Sequence, residues 1–133
     1  MSIGHLTKAG ILALTLQLLG CGGSEVSFSA DVQPIFDKHC IECHDRGGEG
    51  IAASGFSVRG YDNVMQGTDL GAVVVPGSSI SSTLYLVAAQ KTAPEIRMPP
   101  QHPESLAEGR GSPLSEDEVG ILAAWIDQGA KNN

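Results

Sequence analysis

Two cysteines and a histidine, spaced as C-x-x-C-H, are the residues whose types and spacing most directly indicate a chemistry. They are Cys40, Cys43 and His44. Two thiols three positions apart on one helical turn can each add to a vinyl group of the same porphyrin, and this spacing is the signature of c-type haem attachment. The histidine that follows is then held under the ring, where its imidazole can ligate the iron. The motif therefore predicts one covalently bound haem c.

Other chemistries of paired cysteines fit this chain less well. A zinc site needs four ligands, and the sequence has no second C-x-x-C. A disulfide between Cys40 and Cys43 would close a very small loop and constrain little. A thioredoxin-like site needs a βαβ context, which the sequence does not suggest. Zinc binding and a redox-active or structural disulfide remain the rivals of haem attachment.

A second axial ligand has to come from elsewhere in the chain, and residues 91–113 are the best source. This segment is long and proline-rich, as loops with a function often are. It contains Met98 followed by two prolines, which stiffen the backbone around a thioether sulfur suited to haem iron. Met98 is the predicted sixth ligand. His102, Met65 and a water molecule or empty site are the alternatives.

The N-terminus has the pattern of an export signal. Lys8 supplies a positive charge, and the apolar run over residues 9–19 is too short to span a bilayer comfortably as a helix. The Gly20-Cys21 pair at its end is similar to the lipobox of bacterial lipoproteins, in which the cysteine becomes the lipidated first residue. We predict a protein of the periplasm or cell envelope, anchored through Cys21, with an ordinary cleaved signal peptide as the alternative.

These features divide the chain into three predicted parts. Residues 1–20 form a lipoprotein-type signal peptide, residues 21–28 a flexible tether, and residues 29–133 a single domain. Only 5% of the residues are aromatic, and a buried porphyrin would add apolar bulk that such a core lacks.

The charge of the chain limits its partners. Cleavage before Cys21 removes Lys8 and no acidic residue, which leaves 15 acidic side chains against 7 basic ones. This balance argues against nucleic acid as a partner and against electrostatic adhesion to anionic lipid. Membrane association would depend on the acyl chains at Cys21. A redox partner with a basic patch is compatible with the charge, which does not identify it.

Helical patterns predict the elements that position the motif. Asp31 is a plausible N-cap for a first helix, whose apolar face runs straight into the attachment cysteines. A capping box from Ser115 to Glu118 predicts the start of a last helix, and Gly129 its end.

Between these two helices the pattern is less regular. We predict shorter helices over residues 61–67 and 79–90, the second with Ile80 on its buried face. Residues 45–53 and 91–113 are predicted to be loops, and the valines at 73–75 to be extended backbone rather than sheet.

Several segments together resemble the class I-like small cytochrome c domains, especially the type found in planctomycete and related bacterial surface proteins. They are Asp31–Phe36 before the C-x-x-C-H motif, Gly55-Phe56, Tyr61–Val64, Val75–Gly77, Arg97–Pro100, Leu114-Ser115 and Trp125–Ala130. The resemblance covers nearly the whole predicted domain. The departure is the stretch over residues 101–112, which is longer than the link expected between Met-Pro-Pro and the last helix.

The resemblance implies an all-α, cytochrome c-like fold with about three to five helices around one haem c, and with the first and last helices packed together. It implies His44 and Met98 as the axial ligands and one-electron transfer at the exposed haem edge. Pro76 and Gly77 are our weaker candidates for haem contacts, and Arg59 or Arg97 for pairing with a propionate.

The predicted function is that of an electron carrier between exported or membrane-associated redox partners, not of an enzyme. Nothing in the sequence suggests acid–base or nucleophilic machinery. One alternative is a haem enzyme or sensor with a displaceable sixth ligand, which acts on peroxide or binds a diatomic gas. Another is an accessory subunit whose haem serves a larger oxidoreductase.

Overall fold

The computed structural model describes Met1 and residues 23–133, so the predicted signal peptide and Cys21 lie outside the described residues. The described chain contains six α-helices, and the all-α prediction is confirmed. They are α1 (Gln33–His39), α2 (Glu49–Ser54), α3 (Tyr61–Gln66), α4 (Thr83–Ala88), α5 (Pro103–Ala107) and α6 (Glu116–Asp127). Short helical turns occur at Phe28–Val32, Ser79–Ser81 and Pro94–Ile96. Strand pairing in the described residues is limited to an isolated bridge between Thr68 and Gly71.

The helical segment before the cysteines begins earlier than its predicted N-cap. The hydroxyl of Ser27 accepts a hydrogen bond from the N–H of Ala30 at 3.2 Å. The carboxylate of Asp31 instead accepts from the N–H of Ser27 at 2.8 Å. Ser27 is therefore the N-cap, and the prediction of Asp31 was wrong because Asp31 satisfies a donor one turn back.

This first helix also ends earlier than predicted. α1 stops at His39, and Cys40 takes φ −125° and ψ −31° outside the helix. The N–H groups of Cys43 and His44 then both bond to the carbonyl of Cys40, at 3.2 Å and 2.9 Å. The attachment motif is thus a set of consecutive turns at the end of α1, rather than a continuation of it.

An aromatic cluster joins the two ends of the domain. The ring of Phe28 lies 5.4 Å from that of Trp125 and 5.4 Å from that of Tyr61, measured between centroids. Trp125 is fully buried, and its Nε1 donates to the carbonyl of Lys131 at 2.9 Å. Phe28 is 4% exposed, so the last residue of the segment predicted as a tether, residues 21–28, packs in the core.

The last helix follows its prediction closely. The hydroxyl of Ser115 accepts from the N–H of Glu118 at 3.2 Å, and the Glu118 carboxylate accepts from the N–H of Ser115 at 2.8 Å. This is the predicted capping box, and α6 ends shortly before Gly129. Leu122, Trp125 and Ile126 form its buried face.

The middle of the chain differs more from prediction. The segment predicted as a loop over residues 45–53 contains most of α2, and α5 lies within the segment predicted as a loop over residues 91–113. The predicted helix over residues 79–90 is broken, because Ser82 is extended and serves as the N-cap of α4. Ile80 therefore lies outside that helix and is 76% exposed, so its predicted burial was wrong.

Among the described residues, no helix combines the length and the hydropathy that crossing a membrane requires.

Candidate functional site

A cavity of about 580 Å³ lies between the segment that carries the cysteines and the segment that carries Met98. Its volume falls within the range of about 300–1,000 Å³ that is usual for small-molecule and cofactor sites. Cys40, Cys43, His44 and Met98 all line it. Most of the remaining wall is apolar and comes from Phe36, Phe56, Val58, Val73, Leu84, Val87, Ala88, Ile96, Leu114 and Leu122.

The imidazole of His44 is oriented by the segment at Phe56–Val58. Its Nδ1 lies 3.0 Å from the carbonyl oxygen of Phe56. Because a carbonyl can only accept, Nδ1 carries the proton and Nε2 keeps its lone pair, which is the form that ligates a metal. The backbone carbonyl of His44 also accepts from the N–H of Val58 at 3.0 Å. Two hydrogen bonds thus fix both the backbone and the ring.

Gly50 in α2 makes room for that ring. A Cβ atom at this position would lie 2.6 Å from Cε1 of His44, closer than side chains approach one another. The N–H of Gly50 donates to the carbonyl of Cys43 at 2.9 Å, which holds α2 against the attachment motif. Because residue 50 has no side chain, α2 leaves a space that the imidazole of His44 fills. We call this space the glycine cradle.

The two cysteines are free of any disulfide. Burial raises the pKa of the Cys40 thiol to about 12, with a smaller contribution from the neighbouring Cys43. Burial also raises the pKa of Cys43, although the hydrogen bond from Arg110 opposes the shift. Both side chains are therefore neutral thiols near neutral pH.

Met98 is held through both of its backbone polar groups. Its N–H donates to the carbonyl of Val87 at 3.1 Å, and its carbonyl accepts from Nε2 of Gln90 at 2.8 Å. The Met98–Pro99 peptide bond is cis, and Pro99 is buried. The end of α4 thus fixes the backbone of the predicted sixth ligand.

The two rivals of Met98 are placed differently. His102 lines the cavity, but its ring also contacts the first turn of α5. Its Nδ1 lies 3.2 Å from the hydroxyl of Ser105 and 3.3 Å from the carboxylate of Glu104. Met65 packs against the hydrophobic core and is not among the residues that line the cavity. The geometry therefore keeps Met98 as the leading candidate, with His102 as the nearer rival.

Residues 101–112, the stretch that exceeded the expected length, form one wall of the site. Arg110 donates to Glu49 at 2.6 Å, pairs with Glu108 and lies 3.5 Å from Sγ of Cys43. Gly111 passes so close to the carbonyl of Pro100 that a Cβ there would collide with it. Sequence reasoning missed Arg110 and Glu49, because no local pattern relates residues this far apart in the chain.

The structure does not bring Pro76 and Gly77 to the cavity. Both are exposed, and the N–H of Gly77 donates to the carbonyl of Ile126 at 2.7 Å. The Pro-Gly turn docks on the end of α6, and a haem contact at these two residues stays a prediction. Arg59 pairs with Asp45, and Nε of Arg97 donates to the carbonyl of Thr92 at 3.1 Å, so neither guanidinium is directed to the cavity wall.

The residues that line the cavity fit a covalently attached haem. Two thiols lie on one short segment, a histidine presents Nε2 as a lone-pair donor, and a thioether sulfur enters from a second segment. The walls between them are mainly hydrocarbon, as a porphyrin face requires. The glycine cradle at position 50 would have no purpose for a surface histidine.

A comparison with protein families agrees with this donor set. The family model described as planctomycete cytochrome C matches residues 40–102, from the first attachment cysteine to His102. No curated protein and no solved structure gave a match. The family implies haem c, and it suggests electron transfer rather than catalysis. Over residues 40–102 this chain is therefore similar to the planctomycete cytochrome C family, in agreement with a small cytochrome c-like domain.

Proposed function

We propose that this protein is a mono-haem c-type cytochrome that carries single electrons between exported or membrane-associated redox partners. The observation that carries the proposal is the convergence of Cys40, Cys43, His44 and Met98 on one apolar cavity. The cysteines would attach the haem, and the histidine and methionine would ligate its iron. The bound haem supplies a one-electron ferric/ferrous couple.

The protein's own contribution is to hold and shield these ligands. Phe56 orients the imidazole of His44 through the hydrogen bond at Nδ1, which also raises the basicity of Nε2. A thioether favours ferrous iron, so a His/Met pair has a higher reduction potential than a bis-His pair. The apolar wall excludes water and favours the less charged state of the site. A closed site with two protein ligands suits electron transfer, because no bond to a substrate has to form.

The cellular setting is part of the proposal. Export is typical of planctomycete cytochromes c. The lipobox-like end of the N-terminal segment supports anchoring through Cys21, and the excess of acidic residues supports redox partners with a basic docking patch. A Cys21→Ser variant should move from the membrane fraction to the soluble fraction of the cell envelope. Retention in the membrane fraction would contradict the lipid anchor.

Optical spectroscopy of the purified haem protein tests the axial ligands. The ferric protein should show the Met–iron charge-transfer band, and the reduced protein should not bind carbon monoxide readily. Met98→Ala should abolish the band, whereas Met65→Ala, which removes a methionine outside the cavity lining, should retain it. A wild-type ferric spectrum that is high-spin would overturn the electron-carrier proposal.

A second function is favoured by one observation. His102, Glu104 and Arg110 line the same cavity and place polar groups in a wall that is mainly apolar. Such groups can stabilise a bound peroxide or diatomic gas when the sixth ligand is displaced. The same spectra separate the two functions, since rapid binding of carbon monoxide or cyanide by the wild-type protein would favour this sensor or enzyme.

A further inference from the structure

Gln90 has a backbone conformation that is unusual for its residue type. Its φ is 60°, in the left-handed region where glycine is strongly preferred. The N–H of Lys91 donates to the carbonyl of Leu86 at 2.9 Å, and the N–H of Gln90 lies 3.3 Å from the carbonyl of Val87. This pair of bonds is the Schellman motif that ends α4, with Gln90 at the position usually taken by glycine. A favourable contact of the side chain would offset this strain.

The side chain of Gln90 turns back to the segment that carries Met98. Its Nε2 donates to the carbonyl of Met98 at 2.8 Å and lies 3.4 Å from the carbonyl of Val87. The same Val87 carbonyl accepts from the N–H of Met98 at 3.1 Å. The end of α4 thus engages both polar groups of the Met98 backbone, one through Val87 and one through Gln90.

The orientation of the amide is determined by these two carbonyls. Oε1 of Gln90 is buried and has no hydrogen-bond partner among the described residues. A reversed amide would place this acceptor against the carbonyl oxygens of Met98 and Val87, where two acceptors repel. Two features of Gln90 are unfavourable, its left-handed backbone and its unpaired Oε1. The compensating interaction is the hydrogen bond that its Nε2 donates to the carbonyl of Met98.

We propose that Gln90 is a positioning residue that fixes the backbone of Met98 and so keeps the sixth coordination site closed. The inference rests on the proposed function, in which Met98 is the axial ligand. Gln90 does not itself ligate the iron, because its amide nitrogen is committed to the two carbonyls. Loss of this donor should let the Met98 segment move away from the haem while the rest of the fold stays in place.

The test uses the full-length haem protein with Gln90→Gly and a matched control, Ala130→Gly. Glycine at position 90 removes the amide and relieves the left-handed backbone, so the helix end is preserved. Ala130 also has a positive φ, of 50°, but it lies after α6 and makes no part of the Met98 contacts. The measurements are the ferric Met–iron band, the cyanide dissociation constant of the ferric protein, and unfolding followed by far-ultraviolet circular dichroism.

Gln90→Gly should bind cyanide about five- to tenfold more tightly than wild type, the effect of losing one hydrogen bond that holds the competing ligand. Its Met–iron band should disappear at a lower temperature than its helical signal. Gln90→Glu, which has the same length but no donor when ionised, should behave likewise. Ala130→Gly should change the unfolding midpoint and leave the band and cyanide binding as in wild type.

Two results would overturn parts of this inference separately. If the wild-type protein shows the Met–iron band and Gln90→Gly has the same band and the same cyanide affinity, Gln90 is not a positioning residue. If the wild-type protein itself lacks the band, Met98 is not the axial ligand, which overturns both that assignment in the proposed function and the role of Gln90. Equal increases in cyanide affinity in Gln90→Gly and Ala130→Gly would show a general loosening of the fold and would also overturn the inference.

Discussion

Glu118 of α6 lies 3.1 Å from His39 of α1, measured between Oε1 and the ring Nε2. The same oxygen accepts from Nζ of Lys38 at 2.8 Å, and the second oxygen accepts from the N–H of Ser115 at 2.8 Å. The carboxylate that completes the capping box of the last helix thus also binds the end of the first helix. Because His39 lines the cavity and its side chain is only 8% exposed, this junction reaches the cavity wall.

This junction should make stability depend on pH. The hydrogen bond from Lys38, followed by that from the Ser115 backbone, lowers the pKa of Glu118 from 4.5 to about 2. A carboxyl group with a depressed pKa stabilises the fold above its unfolded pKa and loses that contribution as the pH falls through the folded value. Glu118→Gln should therefore lower the free energy of unfolding near neutral pH, and its difference from wild type should shrink between about pH 4.5 and 2. Urea unfolding across this range measures it.

Glu116→Gln is the matched control for that experiment. Glu116 lies in the same first turn of α6 but makes none of the three hydrogen bonds of Glu118. Its effect on the free energy of unfolding near neutral pH should be smaller. A Glu118→Gln deficit that stays constant down to the lowest pH would contradict the assigned role of the ionised carboxylate.

The glycine cradle predicts a steric effect on His44. Gly50→Ala places a Cβ 2.6 Å from the imidazole, so the ring or α2 must move. Overpacking of this kind costs about 1–3 kcal/mol of unfolding free energy. The haem protein should also lose low-spin character as His44 is displaced, which an optical spectrum detects.

Gly120→Ala in α6 provides the comparison, because a Cβ at that position would contact nothing within 4 Å. There the change should stabilise the helix by up to about 1 kcal/mol, since alanine is the better helix former. Equal effects of the two substitutions on stability and spectrum would show that position 50 does not cradle the ring.

The start of the domain can be located by a core substitution. Phe28→Ala removes a 4% exposed ring from contact with Trp125 and Tyr61. The expected loss of unfolding free energy is about 3–5 kcal/mol, the usual cost of truncating a buried aromatic residue. Leu70→Ala, at a fully exposed position, should change it by no more than about 0.5 kcal/mol. A similarly small effect of Phe28→Ala would show that Phe28 belongs to the tether and not to the core.

Replacement of Arg110 should affect residues 101–112 rather than the stability of the whole domain. The carboxylates of its partners Glu49 and Glu108 are exposed, and ion pairs with exposed members contribute about 0–1 kcal/mol each. Arg110→Gln should therefore unfold at nearly the wild-type temperature, but residues 101–112 should be cut faster by a glutamate-specific protease. Arg59→Gln, which removes the ion pair with Asp45, should leave that cleavage rate unchanged. Identical digestion of both variants would contradict the tie between this segment and α2.

Local chemistry explains what the sequence predicted well. The C-x-x-C-H motif, the Met-Pro-Pro segment and the Ser115 capping box each depend on residues within a few positions of one another. The capping box is confirmed by its two reciprocal hydrogen bonds. The four predicted attachment and ligand residues also line one cavity, although their roles toward haem stay predictions.

Contacts between distant segments explain what was missed. The carbonyl that orients His44 belongs to Phe56, the donor that holds Met98 belongs to Gln90, and Arg110 reaches Glu49 across the chain. Of these residues only Phe56 lies in a segment that carries the family resemblance, and nothing there indicated that its carbonyl binds His44. Gln90 contradicts the preference for glycine where it lies. Ile80 was misplaced for a different reason. The sequence has a regular helical pattern there, but the single extended residue Ser82 interrupts the helix. Such pairings are chosen by tertiary packing, which no short window of sequence contains.

The close approach of Gly111 to Pro100 has a consequence for how this chain can vary. Pro100 and Gly111, which flank residues 101–110, lie next to each other. The number of residues between them therefore does not determine the distance from Met98 to α6. Closing a longer loop costs only about 0.6 kcal/mol for each doubling of its length. Insertions, deletions or replacements within this stretch should therefore leave the segment that carries Met98 in place, provided that Gly111 is kept.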